Sequence, residues 1–164
     1  MEESLRLYKI NPDYLRFMHS IDHRVSVKYN NRPFIGIITM LNGISYVLPL
    51  TSQTTQERQK EGKRKRAPII TTFVRDSSGE EIANILHNNM LPVQEGLYEP
   101  LEIDAAADTY ESNEIRYIRK NKDAIIKKAQ SVYYNRMNKC TPFLEATCCD
   151  FANLEAHYLE FSPL

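Results

Sequence analysis

The residues best placed to do chemistry in this 164-residue chain are two adjacent hydroxyls, Thr51 and Ser52, which follow the apolar segment Tyr46-Val47-Leu48-Pro49-Leu50. They stand where that segment gives way to a cationic one. Hydroxyls so placed can hydrogen-bond the non-bridging oxygens of a phosphate or orient a ribose 2′-hydroxyl. Arginines nearby can neutralise the charge that builds on a pentacoordinate phosphorus. With RNA, the 2′-hydroxyl is itself the nucleophile, so neither a covalent enzyme intermediate nor a metal is required. A Thr-Ser pair after a strand is also ordinary turn chemistry, and the pair alone leaves both readings open.

Other constellations are weaker. His19 and His23 sit four apart with Asp22 between them, half of a zinc site, but the glutamate of a His-Glu-x-x-His motif is missing. Cys140, Cys148 and Cys149 contain no Cys-x-x-Cys knuckle, and no metal is expected. There is no Walker loop, dinucleotide glycine pattern or nucleophile elbow, so no small-molecule cofactor is expected either. A triad of Ser52, His87 or His157, and Asp150 can be written on paper, as it can for many chains with four histidines. The many carboxylates between Glu80 and Glu114 read as a solvated surface rather than a hydrolytic pair.

A formal net charge of zero conceals a division. Residues 1–75 carry 13 Lys/Arg against 6 Asp/Glu, and residues 76–164 carry 8 against 15. Within the second half, Arg116 to Lys139 holds eight bases and one acid, Asp123. Bases gathered in blocks allow a basic face and an acidic face to coexist, the electrostatic layout of a nucleic-acid binder; the plainer reading is solvated faces. An odd cysteine count with an adjacent pair is no disulfide framework. The first residues lack a signal-peptide pattern, and no apolar run approaches the roughly 18 residues of a membrane span. A cytoplasmic, reduced protein is expected.

The elements that must position these groups follow from periodicity. Leu5 to Ile10 reads as a strand, and Asn11-Pro12 caps a helix over Asp13 to Ile21. Arg24 to Arg32 reads as a loop. Phe34 to Leu41 and Ile44 to Leu48 form a hairpin about Asn42-Gly43, with Pro49 at its end or at an edge position. Thr51 to Ala67 has no aliphatic residue before its alanine and reads as an exposed loop. Ile69 to Arg75, Glu81 to Leu86 and Met90 to Val93 are further strands around the turn Asp76-Ser77-Ser78-Gly79. Tyr110 to Met137 has the spacing of one amphipathic helix, and Thr141-Pro142 starts another through Tyr158. The fold expected is α+β, one domain over residues 1–164. It comprises a small, strongly curved antiparallel sheet or partly open barrel, flanking helices and a C-terminal helical pair.

Ordered segments along nearly the whole chain resemble the ToxN/AbiQ family of endoribonuclease toxins from type III toxin–antitoxin systems. They are Tyr14-Leu15, Arg32-Pro33-Phe34-Ile35-Gly36-Ile37, Tyr46 to Ser52, Asn89-Met90-Leu91-Pro92-Val93 and Ile115 to Asn121. Ala129 to Tyr134, Cys148-Cys149-Asp150-Phe151 and Leu154-Glu155 complete the series. The chain looks closest to the CptN branch. The resemblance implies a barrel related to the MazF/Kid toxins. It implies metal-independent, sequence-selective RNA cleavage leaving a 2′,3′-cyclic phosphate and a 5′-hydroxyl. The partners it implies are target mRNA and a repeated pseudoknot RNA that the toxin trims and then binds in a closed ring, with a role in phage exclusion.

Carried over by residue, the resemblance makes Tyr14, Arg32, Thr51 and Ser52 the catalytic group. Ser52 and Thr51 would hold the scissile phosphate, Arg32 would stabilise the transition state, and Tyr14 would bind phosphate or stack on a base. Where some relatives have a lysine two residues after the serine, this chain has Thr54, so that role is absent or taken by another base such as Arg58, Lys60 or Lys63. Lys63, Arg64, Lys65 and Arg66, with Arg116, Arg119, Lys120, Lys127 and Lys128, would grip RNA backbone. The competing readings are a non-catalytic nucleic-acid-binding module and a metal-dependent hydrolase built on the acidic segment.

Overall fold

The computed structural model describes residues 5–27, 34–51, 70–104 and 107–162. Strand β1 is Tyr8–Ile10, and Asn11 then caps helix α1, Pro12–Ile21, its side-chain oxygen accepting from the amides of Asp13 and Tyr14. That is the role expected of Asn-Pro at a helix start. Strands β2, Ile35–Leu41, and β3, Ile44–Thr51, pair antiparallel from Ile35↔Leu50 to Leu41↔Ile44. Asn42 and Gly43 both have positive φ, 52° and 77°, so the turn is the one whose twist matches the strands.

Pro49 does not end β3; it pairs with Gly36 inside the strand. A proline fits there because it falls where the strand's other neighbour changes. Tyr46 and Val47 pair with β6, Leu91–Pro92, whereas Leu50 and Thr51 pair with β5, Glu81–Leu86. Strand β4, Thr71–Arg75, pairs with β5 through a turn at Asp76 to Gly79. A strand absent from the sequence reading, β7 over Tyr98–Pro100, pairs with β1. Its three residues, two of them exposed, carry too little apolar pattern to announce a strand. The sheet order is β4-β5-β3-β2-β1-β7, with β6 on β3. Among the described residues β4 and β7 do not meet, so the curved sheet stays open.

Two expected helices are each divided. The 110–137 segment breaks at Asn121 (φ −109°, ψ 21°) into α2, Tyr110–Lys120, and α3, Lys122–Asn138. Apolar spacing continues across the break because Ile115, Ile118, Ile125 and Ala129 all enter the same core. The C-terminal segment splits into α4, Pro142–Thr147, and α5, Phe151–His157. Between them the chain is extended, with the Cys149 amide donating to Asn88 O (2.9 Å) and the Asp150 amide to Asp22 Oδ2 (2.7 Å). Asp150 then caps α5 through the Asn153 amide. Tertiary partners for those amides, invisible to helical periodicity, interrupt the helix.

One contiguous core joins sheet and helices, with Tyr46, Leu48, Ile85, Ile118 and Phe151 fully enclosed. Its polar ties are specific. Glu155 Oε2 accepts from both the Tyr46 and Tyr133 hydroxyls (2.6 Å each), fastening β3 to α3 and α5, with Phe151 stacked on Tyr133. Buried Asp22 is pushed up by desolvation. The Arg24 side chain, the Asp150 amide and the Arg24 amide outweigh that and hold it below the usual carboxylate range. All three cysteines are free thiols, with Cys148 and Cys149 buried; burial raises the Cys148 thiol to about 12.

His87 gives the fold a pH response. It is fully buried, with Nε2 2.7 Å from Thr72 Oγ1, and burial lowers its imidazole to about 3, with the Lys128 ammonium adding to the effect. An unfolded histidine titrates near 6.5, so below that pH the unfolded state takes a proton that the folded state refuses. Stability is therefore full above pH ~6.5 and falls by about 1.4 kcal/mol per pH unit between there and the folded value. Urea midpoints measured from pH 7 to pH 5 should decline, and His87→Gln should flatten that decline. Asp22 does not interfere, because its contribution is lost only in the carboxylate range below about pH 4. An equally steep decline in His87→Gln would refute the assignment.

Candidate active site and basic surface

The site is built from the open end of the β2–β3 hairpin. Thr51, half-buried, is the last residue of β3 and pairs with Asn84 of β5, while Leu50 is held by Ile35 on one side and Ile85 on the other. Three strands therefore fix the backbone up to Thr51. Asn84 is fully buried and donates through Nδ2 to Glu81 Oε2 (2.9 Å). The chain enters β2 beside the place where it leaves β3, and it returns to β4 at Thr71, which pairs with Leu86 of the same strand β5. Ser52, Arg32, Arg58, Lys60, Lys63, Arg64, Lys65 and Arg66 lie outside the described residues.

Tyr14 lies inside the protein. Its ring is fully buried, edge-on to Phe161 with centroids 5.4 Å apart, and its hydroxyl donates to the Pro92 carbonyl. Burial drives the phenol well above its ordinary value. In this arrangement the side chain ties α1 to β6 and is not grouped with Thr51. The helical spacing that places Tyr14 among α1's apolar positions is the signal for this inward-facing role.

The helix bases do not form one stripe. Arg116 and Lys120, one turn apart on α2, face the β4–β5 turn and share a cavity with Arg75. Arg119 instead donates from Nε to Leu5 O (2.9 Å) and borders another cavity with Arg6. Lys127 is exposed on α3. Lys128 is half-buried and donates to the Thr71 carbonyl, with burial lowering its ammonium. Arg75 was missed in the sequence; its signal is a lone arginine directly before a tight turn.

The alternative constellations have other employment. His19 Nδ1 lies 2.8 Å from Val25 O, His157 pairs with Glu160, and Asp150 caps α5. Among the described residues no three His, Cys, Asp or Glu side chains gather to hold a metal, and no helix is long and apolar enough to cross a membrane.

The described residues define a small α+β protein with an open antiparallel sheet, whose strand β3 ends at Thr51, directly before a segment of sequence rich in Lys and Arg. The comparisons agree. A family profile described as toxin ToxN, type III toxin–antitoxin system, matches residues 6–159, and the chain belongs to that family. It is similar to the endoribonuclease ToxN of Bacillus thuringiensis subsp. kurstaki, 25% identical over 174 residues covering 98% of this chain and 86% of that protein. It is also similar to the endoribonuclease AbiQ of Lactococcus lactis subsp. lactis, 24% identical over 93% of this chain and 87% of that one. The solved structure of AbiQ, a lactococcal anti-phage endoribonuclease of a type III system, superposes with a TM-score of 0.81 at 22% identity, covering 96% of this chain and 98% of that one. A second solved bacterial type III system, in which a non-coding RNA pseudoknot selectively inhibits the toxin, matches with a TM-score of 0.76 at 24% identity. It covers 99% of this chain and 100% of that one.

Proposed function

We propose that this chain is a metal-independent, sequence-selective endoribonuclease, the toxin of a type III toxin–antitoxin system. It cuts mRNA and the repeated precursor of its own antitoxin RNA. The processed pseudoknot then binds and inhibits it in a closed ring of alternating protein and RNA, with phage defence as the setting and the cytoplasm as the compartment. The observation that carries this reading is the register Ile35↔Leu50, backed by Thr51↔Asn84. Through it, Ile35, three residues after Arg32 in sequence, and Leu50, two residues before Ser52, are paired at the open end of one hairpin. The names of the relatives, two endoribonucleases, support the same activity.

In the proposed chemistry Ser52 and Thr51 hold the non-bridging oxygens of the scissile phosphate and align the ribose 2′-oxygen for in-line attack. Arg32 neutralises charge on the phosphorane, its fixed fork suiting a phosphate and its pKa above about 12 making it no base. The 2′-hydroxyl gives its proton to a base as its oxygen bonds to phosphorus, the bond to the 5′-oxygen breaks, and that oxygen takes up a proton and leaves as a hydroxyl. With Thr54 in place of a lysine, Lys60 and Lys63 are the nearest groups in sequence that can exchange a proton, and Arg58 can screen charge. Lys63 to Arg66 hold the flanking backbone.

Incubating the protein with end-labelled RNA in EDTA is expected to give products with 2′,3′-cyclic phosphate and 5′-hydroxyl ends. Binding without cleavage would leave a non-catalytic RNA-binding module, and cleavage abolished by the chelator would leave a metal-dependent hydrolase. Tandem repeats ahead of a terminator, directly upstream of the gene, are the matching expectation for the antitoxin.

A further inference from the structure

A cavity of about 390 Å³ opens between the β4–β5 turn and α2, lined by Arg75 and Asp76 on one side and by Asn113, Arg116, Tyr117 and Lys120 on the other. Its volume is that of a small-ligand pocket, with room for one nucleotide and too little for a folded element.

Among the described residues, the cations of this cavity are only partly neutralised. Arg75 donates from Nη1 to the Gly79 carbonyl (2.9 Å) and lies 5.4 Å over the Phe73 ring, both neutral partners. Arg116 donates to Ser112 O and to Asn113 Oδ1, and its ion-pair partner among the described residues is Asp108, at 4.0 Å and almost wholly in water. Such a contact contributes little. No ion pair holds Lys120 among the described residues. Asp76 turns its Oδ1 back into its own turn, where it accepts from the Ser78 amide (2.9 Å), Ser78 Oγ (2.6 Å) and the Glu80 amide (3.0 Å). Three cations thus share the cavity with one carboxylate, leaving an excess of positive charge.

The cavity is more than an anion trap. Half-buried Tyr117 offers an aromatic surface, while the Asn113 amide, donating to Asp108 and Thr109 and accepting from Arg116, holds the Arg116 guanidinium at the cavity wall. Cations for a phosphate and a ring to stack on are the parts of a single-stranded nucleotide seat. Its place on the sheet fits. Thr51 pairs with Asn84 and Asn84 with Phe73, and Arg75 lies two residues further along β4. Two strand spacings and two residues of rise, with a register shift at Val74/Arg75, put Arg75 about 12 Å from Thr51 across the sheet.

We propose that this cavity seats one nucleotide of single-stranded RNA, its phosphate among Arg75, Arg116 and Lys120 and its base against Tyr117. The proposal rests on the RNA-cleaving reading above and adds a contact away from the scissile phosphate.

The test uses the full chain carrying Ser52→Ala, with and without Arg116→Gln and Lys120→Gln, both exposed positions whose change should spare the fold. Probes are the antitoxin transcript, an unrelated single-stranded mRNA fragment and an RNA duplex, titrated across salt. On a single-stranded probe the double change should weaken binding ten-fold or more and reduce the slope of log K against log salt by one to two units. The duplex should be unaffected, and 4-thiouridine in the bound strand should photocrosslink to the Tyr117 peptide. Loss with the transcript alone gives the seat to the antitoxin, with the fragment alone to the substrate, and with both to either; all three support it. Unchanged single-strand affinity, equal loss on the duplex, or a crosslink that avoids Tyr117 would overturn it. Unmodified protein assayed in parallel separates the two readings. Cleavage with an unaffected salt slope refutes the seat alone, and seat-dependent binding without cleavage refutes the nuclease alone.

Discussion

Replacing Ser52 by alanine is expected to abolish growth inhibition while leaving a folded protein that still binds RNA. The strand that precedes it in sequence is anchored without it: Leu50 and Thr51 are held by β2 and β5, and the buried side chains of Leu48 and Leu50 belong to the core. Stability should therefore change little, within about 0.5 kcal/mol. In the proposed site the lost hydroxyl belongs to a small set of groups that bind the phosphate, and removing one transition-state donor typically slows catalysis by about 10² to 10³. A toxin slowed that far no longer outpaces mRNA synthesis. Affinity for the antitoxin should persist, because phosphate contacts spread over many bases set it. Expression of the variant in growing cells, with RNA binding measured on the same protein, decides the matter. Full toxicity from Ser52→Ala would remove Ser52 from the centre of the site.

Gly36→Ala should damage both the fold and the site. A Cβ at Gly36 would stand 2.7 Å from Leu48 O and 2.8 Å from Val47 Cγ1, closer than carbon tolerates, and one of those neighbours is backbone. The β2–β3 pair must therefore spread, at a cost of about 3 kcal/mol. For a chain of this length that lowers Tm by roughly 6 to 12 °C. The distortion falls at the Gly36↔Pro49 pair, two residues from Thr51, so activity at permissive temperature should fall further than the folded fraction does. Gly43, which has open space and a positive φ, is the contrast. Alanine there meets only backbone strain, about 1 to 2 kcal/mol, and leaves the strand end in place. A Gly36→Ala protein that melts with the parent would mean that β2 and β3 do not approach as closely as described.

The Asn11-Pro12 cap, the Asn42-Gly43 hairpin and the Asp76–Gly79 turn were legible in the sequence because each rests on a local backbone rule that needs no distant partner. The same holds for the polar composition after Thr51 and for the gathering of bases. The short strand β7 was not legible, since its three residues are strand only because β1 lies beside them. Nor were the breaks at Asn121 and Cys148 to Asp150; in the second, Asn88 and Asp22 claim the amides a helix would use. Tyr14 could be placed on the inward face of α1 by spacing, but its commitment to Pro92 required a residue 78 positions away.

The Thr51-Ser52 pair marks the same division. Its chemistry, two hydroxyls beside a cationic stretch, belongs to the sequence by itself, as does the ordered resemblance that gives it meaning. What the tertiary structure decided is that Thr51 is no turn residue but the third-strand-held end of β3, and that Arg75 joins Arg116 and Lys120 across the cavity while Arg119 and Lys128 turn elsewhere. Residue types determine which bonds can form. Which of them share a site depends on strand register and helix phase, and those are set by burial of a core that no local segment contains.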